Sequence, residues 1–114
     1  MDNLYFEFRQ NNSGGSFEVD LEKGISHYVI IEAKNYIEAN QKAFDIGLYF
    51  DGCESGNDCP CCGDRWYASD ESDGSAIPSL YGESVYELKP SYFNEYISIH
   101  RINKPIEIIE RPCK

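Results

Sequence analysis

Residues 27–47, HYVIIEAKNYIEANQKAFDIG, decide the fold. The first seven, HYVIIEA, carry β-branched apolar side chains on both faces of an extended chain through Val29, Ile30 and Ile31. That pattern predicts a strand buried on both sides, at the centre of a sheet. Asn35 then offers a helix N-cap, with Glu38 three residues on in a capping-box arrangement. Tyr36, Ala39, Ala43 and Ile46 fall on one helical stripe, with Ile37 and Phe44 beside it. Gly47 supplies the stop, and Leu48 can close over the last turn. The reading is one main helix over about 36–46, lying on a central strand. Leu48-Tyr49-Phe50 runs extended back toward the sheet.

Upstream, residues 4–9 (LYFEFR) alternate, with Leu4, Phe6 and Phe8 on one face and Tyr5, Glu7 and Arg9 on the other. Residues 11–15 (NNSGG) are turn material, and residues 16–21 alternate again through Phe17, Val19 and Leu21. The two runs predict a β-hairpin. Lys23-Gly24 marks the next turn. Downstream, residues 68–84 form a long polar loop, of a length that inside a small domain is usually functional or mobile. Residues 85–88 (VYEL) read as a short strand broken by Pro90, residues 96–102 (YISIHRI) as a strand with Ile97 and Ile99 inward, and 106–109 (IEII) as a final strand. The expected class is α+β: a single domain over 1–114, with an antiparallel or mixed sheet of four to six strands, one main helix and a cysteine-rich loop.

The 114 residues include 20 acidic and 10 basic side chains, a formal charge of −10. Phosphate binding needs a basic face, so direct nucleic-acid binding is disfavoured, as is an anionic membrane. A protein partner with a basic surface fits better. The opening residues carry no basic, apolar leader, and no run approaches the ~18 apolar residues of a membrane span, which points to the cytoplasm. Thiols stay reduced there, so the five cysteines read as metal ligands or free thiols before disulfides.

Four of those cysteines lie in residues 51–67, DGCESGNDCPCCGDRWY. Cys59-Pro60-Cys61-Cys62-Gly63 has the form of a zinc knuckle, a tight turn aiming the thiolates of Cys59 and Cys62 at one point. Cys53 is the nearest third ligand. The fourth could be Cys61, Cys113, His27, His100 or Asp58. With no second Cys-x-x-Cys pair the motif is half a zinc ribbon, and a closed site of four ligands would be structural. The same pair also matches a redox motif. Asp51, Glu54, Asp58 and Asp64 surround the thiols, however, with Arg65 alone opposing, and carboxylates disfavour the reactive thiolate.

Between Asp51 and Gly74 the sequence holds seven acids and one arginine. The spacing does not match a calcium-binding helix-loop-helix pattern. Trp66-Tyr67 and the later tyrosines make this half of the chain aromatic, and tyrosine is enriched at binding surfaces. The candidate binding set is therefore Asp51, Glu54, Asp58, Asp64, Trp66, Tyr67, Asp70, Glu71 and Asp73. No Gly-x-Ser-x-Gly, Walker loop or His-Glu-x-x-His is present, and no catalytic constellation can be assembled, so the expectation is a non-enzymatic protein.

The run YVIIEAKNYIEANQKAFDIGLYFDG, followed by DCPCCGDRW, resembles a family of small uncharacterised proteins of tailed bacteriophages. The similarity covers about residues 28–67 and is most specific at Cys59–Trp66. It implies a context, the cytoplasm of an infected bacterium, and brings no catalytic residue with it. By analogy the leading expectation is a protein that inhibits a host defence or housekeeping factor through its acidic, aromatic surface. A second is a sponge for a nucleotide immune signal, using Lys89, Arg101, Lys104 or Arg111, with an oligomer interface completing the site. A third is a small zinc-stabilised accessory protein.

Overall fold

The computed structural model describes residues 3–11, 17–50, 52, 63–88 and 95–111. Its organising element is the strand Tyr28–Ala33 (β2), where Val29, Ile30 and Ile31 are all fully buried. The β-branched run is buried on both faces, because β2 has a strand on each side and a layer above and below. Leu4–Arg9 (β1) pairs with it antiparallel, Phe6 opposite Ile31. Glu95–His100 pairs with it parallel, Ile30 beside Ile99. The remaining strands are the short Gly74–Ser75 (β3), Ser79–Leu80 (β4) and Glu83–Ser84 (β5); Glu95–His100 is thus β6, and Glu107–Arg111 is β7. The main sheet has five strands in the order β3-β1-β2-β6-β7, and β4-β5 form a separate ribbon. With the helix Tyr36–Ile46 (α1), the architecture of the described residues is α+β with a mixed sheet.

The helix forms where its end signals place it. Asn35 is extended, and its side chain accepts from the Glu38 backbone N–H at 2.9 Å. Gly47 closes the other end at φ +117°, a left-handed conformation that glycine adopts without steric cost. Ala39 and Ala43 are buried against the sheet, and their small side chains let the helix approach β2 closely. Ile37 and Phe44, expected beside the stripe, face solvent instead.

The sheet has two cores. On the helix side Phe6, Phe8, Val29, Ile31 and Ala33 pack with Ala39, Ala43, Leu48 and Trp66. On the outer side Ile30, Ile97 and Ile99 pack under Leu80 and Val85. Each fully buried Ile, Leu or Phe stabilises the fold by roughly 1.5–3 kcal/mol relative to exposure. One polar pair is buried with them: Ser26 Oγ donates to the Tyr28 carbonyl at 3.0 Å and meets Ser98 Oγ at 2.7 Å, so Ser98 is the donor in that bond.

Three expectations are corrected. Among the described residues β1 pairs with β2 and, along its other edge, with β3, not with residues 17–21 of the expected hairpin. Val19 and Leu21 are exposed, and the Gln10 side chain takes both backbone bonds of Glu18, which a ladder would need. Only an isolated bridge, Asp20 to Ile25, closes the turn at Lys23-Gly24. Residues 85–87 form a single 3-10 turn rather than a strand. The long polar stretch 68–84 holds three two-residue strands: β3 extends the main sheet beside β1, and the β4-β5 ribbon brings Leu80 to the outer core.

Candidate functional site

The stretch that leaves the cysteine loop is fixed at several points. Asn11 N–H donates to the Arg65 carbonyl at 2.8 Å, and the Asn11 side chain donates to the Asp64 carbonyl at 3.2 Å. Arg65 donates to Gln10 Oε1 at 2.8 Å. Trp66 is 1% exposed and sits in the helix-side core. This corrects its place in the candidate binding set: a large indole beside acidic residues is here the apolar anchor of the segment and cannot touch a partner. Further along, Ser69 N–H donates to Asn40 Oδ1 at 2.8 Å while Asn40 Nδ2 donates back to the Ser69 carbonyl at 3.0 Å. The segment is thereby stapled to Gln10 and Asn11, just past β1, and to α1.

Past this staple the chain rounds the edge of β1. Asp70 Oδ1 accepts from Ser72 N–H at 2.9 Å and Ser72 Oγ at 2.6 Å, and Asp73 Oδ2 accepts from Asp70 N–H at 2.8 Å. The Ser72 hydroxyl and N–H hold the Asp70 carboxyl below its ordinary range. Asp70, Glu71 and Asp73 are all exposed. The turn thus presents its charges on a hydrogen-bonded frame before β3 pairs with Tyr5 and Phe6.

Between this turn, the end of β1 and the tip of the β4-β5 ribbon lies a cleft of about 370 Å³. Its walls include Glu7, Arg9, Tyr67, Ser69, Asp73 and Tyr81. The ribbon tip is a two-residue turn with positive φ at both positions, Tyr81 at 52° and Gly82 at 83°. Such hairpins favour Asn-Gly; a tyrosine in the left-handed region is strained. The strain is offset by contacts at the cleft. The Arg9 guanidinium lies over the Tyr81 ring, 4.4 Å from its centre, and the Tyr81 N–H is directed at the Glu7 carboxylate. Tyr81 and Tyr67 remain 66% and 58% exposed.

Glu7 lies deeper, its side chain 19% exposed. Burial pushes its carboxyl above the ordinary value, against the pull of Arg9 and the Tyr81 N–H, and the Asp73 charge pushes the same way. Arg9 Nε stands 3.4 Å from Glu7 Oε2, an ion-pair distance. Yet Glu7 Oε2 and Ser69 Oγ are the two buried side-chain oxygens or nitrogens with no hydrogen-bond partner among the described residues. Both line this cleft.

Of the candidate residues, Tyr67 and Asp73 line the cleft, Asp70 and Glu71 stand on the adjoining turn, and Asp64 precedes the anchor. Asp51, Glu54, Asp58 and the thiols of Cys53, Cys59, Cys61 and Cys62 fall outside the described residues. Among the described residues no three His, Cys, Asp or Glu side chains gather where a metal ion could sit, and no helix is long and apolar enough to cross a membrane. Glu7, Arg9, Ser69 and Tyr81 were not expected at a site. The alternation of β1 already turned Glu7 and Arg9 away from the Phe6–Phe8 face, but nothing local says what stands opposite them.

The model of one protein family, described as a domain of unknown function (DUF7296), matches residues 3–109. The chain belongs to this family. The matched span of DUF7296 takes in every cleft residue named above. Neither a curated protein nor a solved structure matches the chain.

Proposed function

We propose that this DUF7296 chain is a non-enzymatic binding protein that docks on a basic protein surface through the acidic, aromatic rim of the β1 cleft. The observation that carries the reading is the rim itself: two exposed tyrosines, Tyr67 and Tyr81, flank a cleft bounded by a rigid turn bearing Asp70, Glu71 and Asp73. Aromatic rings supply contact area at low entropic cost, and a negative rim steers a positive partner and speeds encounter. The partner we propose is a bacterial defence or housekeeping factor, inhibited by a phage-encoded protein in the host cytoplasm. The setting comes from the resemblance of residues 28–67, and the contact chemistry comes from the rim.

A nucleotide sponge needs cations able to meet phosphates. Arg101 is engaged by Glu107 and by Tyr86 at 2.7 Å, and Arg111 by Glu95 at 3.3 Å, so the basic C-terminal third favours the protein-docking reading. Capture of a partner from a bacterial lysate, repeated at low salt and near 1 M salt, tests the proposal. At about 1 M the screening length falls to about 3 Å, and an acid-steered complex should weaken severalfold. A partner held equally at both salt levels contradicts it.

A further inference from the structure

The helix α1 buries one stripe and exposes another. Ala39 and Ala43 face the sheet, and the opposite ridge runs through Ile37, Gln41, Phe44 and Asp45, all exposed. Ile37 is 65% exposed and Phe44 64%. Seven residues along a helix return to within about 20° of the same direction, so these two side chains form one apolar strip two turns long. A single exposed apolar side chain is ordinary; two large ones in line are surface that a partner can bury.

The charges beside the strip say what covers it. On the other flank of Gln41 stand Lys34, Glu38, Lys42 and Asp45. Glu38 meets Lys42 at 3.3 Å, and the charge of Lys34 also reaches Glu38. Asp45 accepts from Gln41 at 3.0 Å, which keeps its carboxylate on the ridge. Two cations and two anions make this flank neutral, on a chain whose net charge is −10. Two copies of so acidic a chain meet with least repulsion across such a face.

The order of these groups suits a second copy turned end for end. About a two-fold axis passing between residues 40 and 41, Ile37 of each copy falls on Phe44 of the other. The same axis sets Glu38 near Lys42 of the other copy, and Lys34 near Asp45. It also keeps apolar strip against apolar strip and charged flank against charged flank. A two-fold axis along parallel helices would lay the strip on the charged flank and bring Lys34 level with Lys34, and Asp45 with Asp45. We propose that the chain forms a two-fold dimer in which the exposed ridges of α1 pack antiparallel, Ile37 of each copy against Phe44 of the other. The cleft residues take no part, so this inference stands apart from the docking reading.

One helix face buries less than a standard interface, so the dimer belongs to the weak, concentration-dependent class, and sedimentation velocity from about 5 μM to about 1 mM tests it. The expected result is a reversible rise from monomer toward dimer. Phe44→Glu, at an exposed position that leaves the thermal melt unchanged, should weaken the association at least tenfold. Asp45→Lys places like charges opposite each other twice and should weaken it about fivefold. The double variant Lys34→Asp/Asp45→Lys restores opposite charges only if the helices run antiparallel, and should associate within about twofold of wild type. A wild-type chain that stays monomeric throughout would overturn the inference. So would a dimer that Phe44→Glu leaves intact, or one that Asp45→Lys weakens and the double variant does not restore.

Discussion

The two faces of the sheet are closed in different ways. On the helix side, α1 brings its backbone hydrogen bonds already made and lays Ala39 and Ala43 on β2, while Trp66 fills the flank of an apolar core. On the outer side the cover among the described residues is the β4-β5 ribbon and the 3-10 turn, which bring Leu80 and Val85 to the fully buried core. Short turns cover less area than a helix and must place their own polar groups. The outer face therefore ends, beside Glu7 and Arg9, in a cleft with polar walls. The contrast teaches that the apolar core is larger under the helix, and that polar and charged side chains collect where the covering layer runs out.

The largest test of that contrast is Trp66→Ala. As a core anchor it should cost about 3–5 kcal/mol in urea denaturation, whereas a surface contact would cost under ~0.5 kcal/mol. Leu80→Ala probes the other cover and should cost about 2–4 kcal/mol; a loss below ~1 kcal/mol would mean that the ribbon is not part of the core. Asn35→Ala, which removes the cap of α1 and no core contact, should cost about 1 kcal/mol by the same measurement.

Acidity should separate the faces by sign. On the helix side, burial holds His100 below its ordinary 6.5, although its Nε2–H donates to the Gly24 carbonyl at 2.9 Å; at the edge of that layer burial likewise lowers His27, whose Nδ1 accepts from the Tyr96 N–H. A histidine with a depressed folded pKa must be neutral in the native state. Its contribution is present above the unfolded value and is lost as pH falls through about 6.5 toward the folded value. Glu7 works the other way. Its raised pKa means that the folded state holds the proton more tightly, so its contribution is present below the ordinary 4.5 and is lost as pH rises above it. Glu7→Gln should therefore flatten the decline in stability above pH 4.5 and leave the histidine limb intact, as read from thermal melts across pH. An unchanged profile would contradict the burial of that carboxylate. The smallest stability effect is expected at Tyr81→Asn, since asparagine accepts positive φ and the Arg9 stacking lost is worth only about 0.5–1 kcal/mol. The melt should barely move while partner capture falls.

The legibility of the sequence divides along the same line. The capped helix and the doubly apolar β2 could be read because their signals are local: Asn35 with Glu38, Gly47, and three consecutive β-branched residues. The pairing of β1 could not, because residues 16–21 alternate as β1 does and so look like its hairpin partner, whereas the Gln10 side chain bonds the Glu18 backbone and the Ser26 carbonyl instead. Trp66 misled by its company, since Asp70, Glu71 and Asp73 are exposed while its own ring turns inward. Tyr67, Asp70, Glu71 and Asp73 were legible as a surface; the cleft was not, because Glu7, Ser69 and Tyr81 come from three separate segments that meet only once the ribbon folds over β1.

The central proposal is that a partner is held by the rim of this cleft and not by Trp66, which is buried. It is tested most directly by comparing lysate capture by the wild-type chain with that by a folded Asp70→Asn/Glu71→Gln/Asp73→Asn variant at low salt. The account predicts that the partner is lost or held at least tenfold less tightly by the variant, with thermal stability within about 0.5 kcal/mol of wild type, as surface substitutions usually are. Undiminished capture by that variant would contradict it.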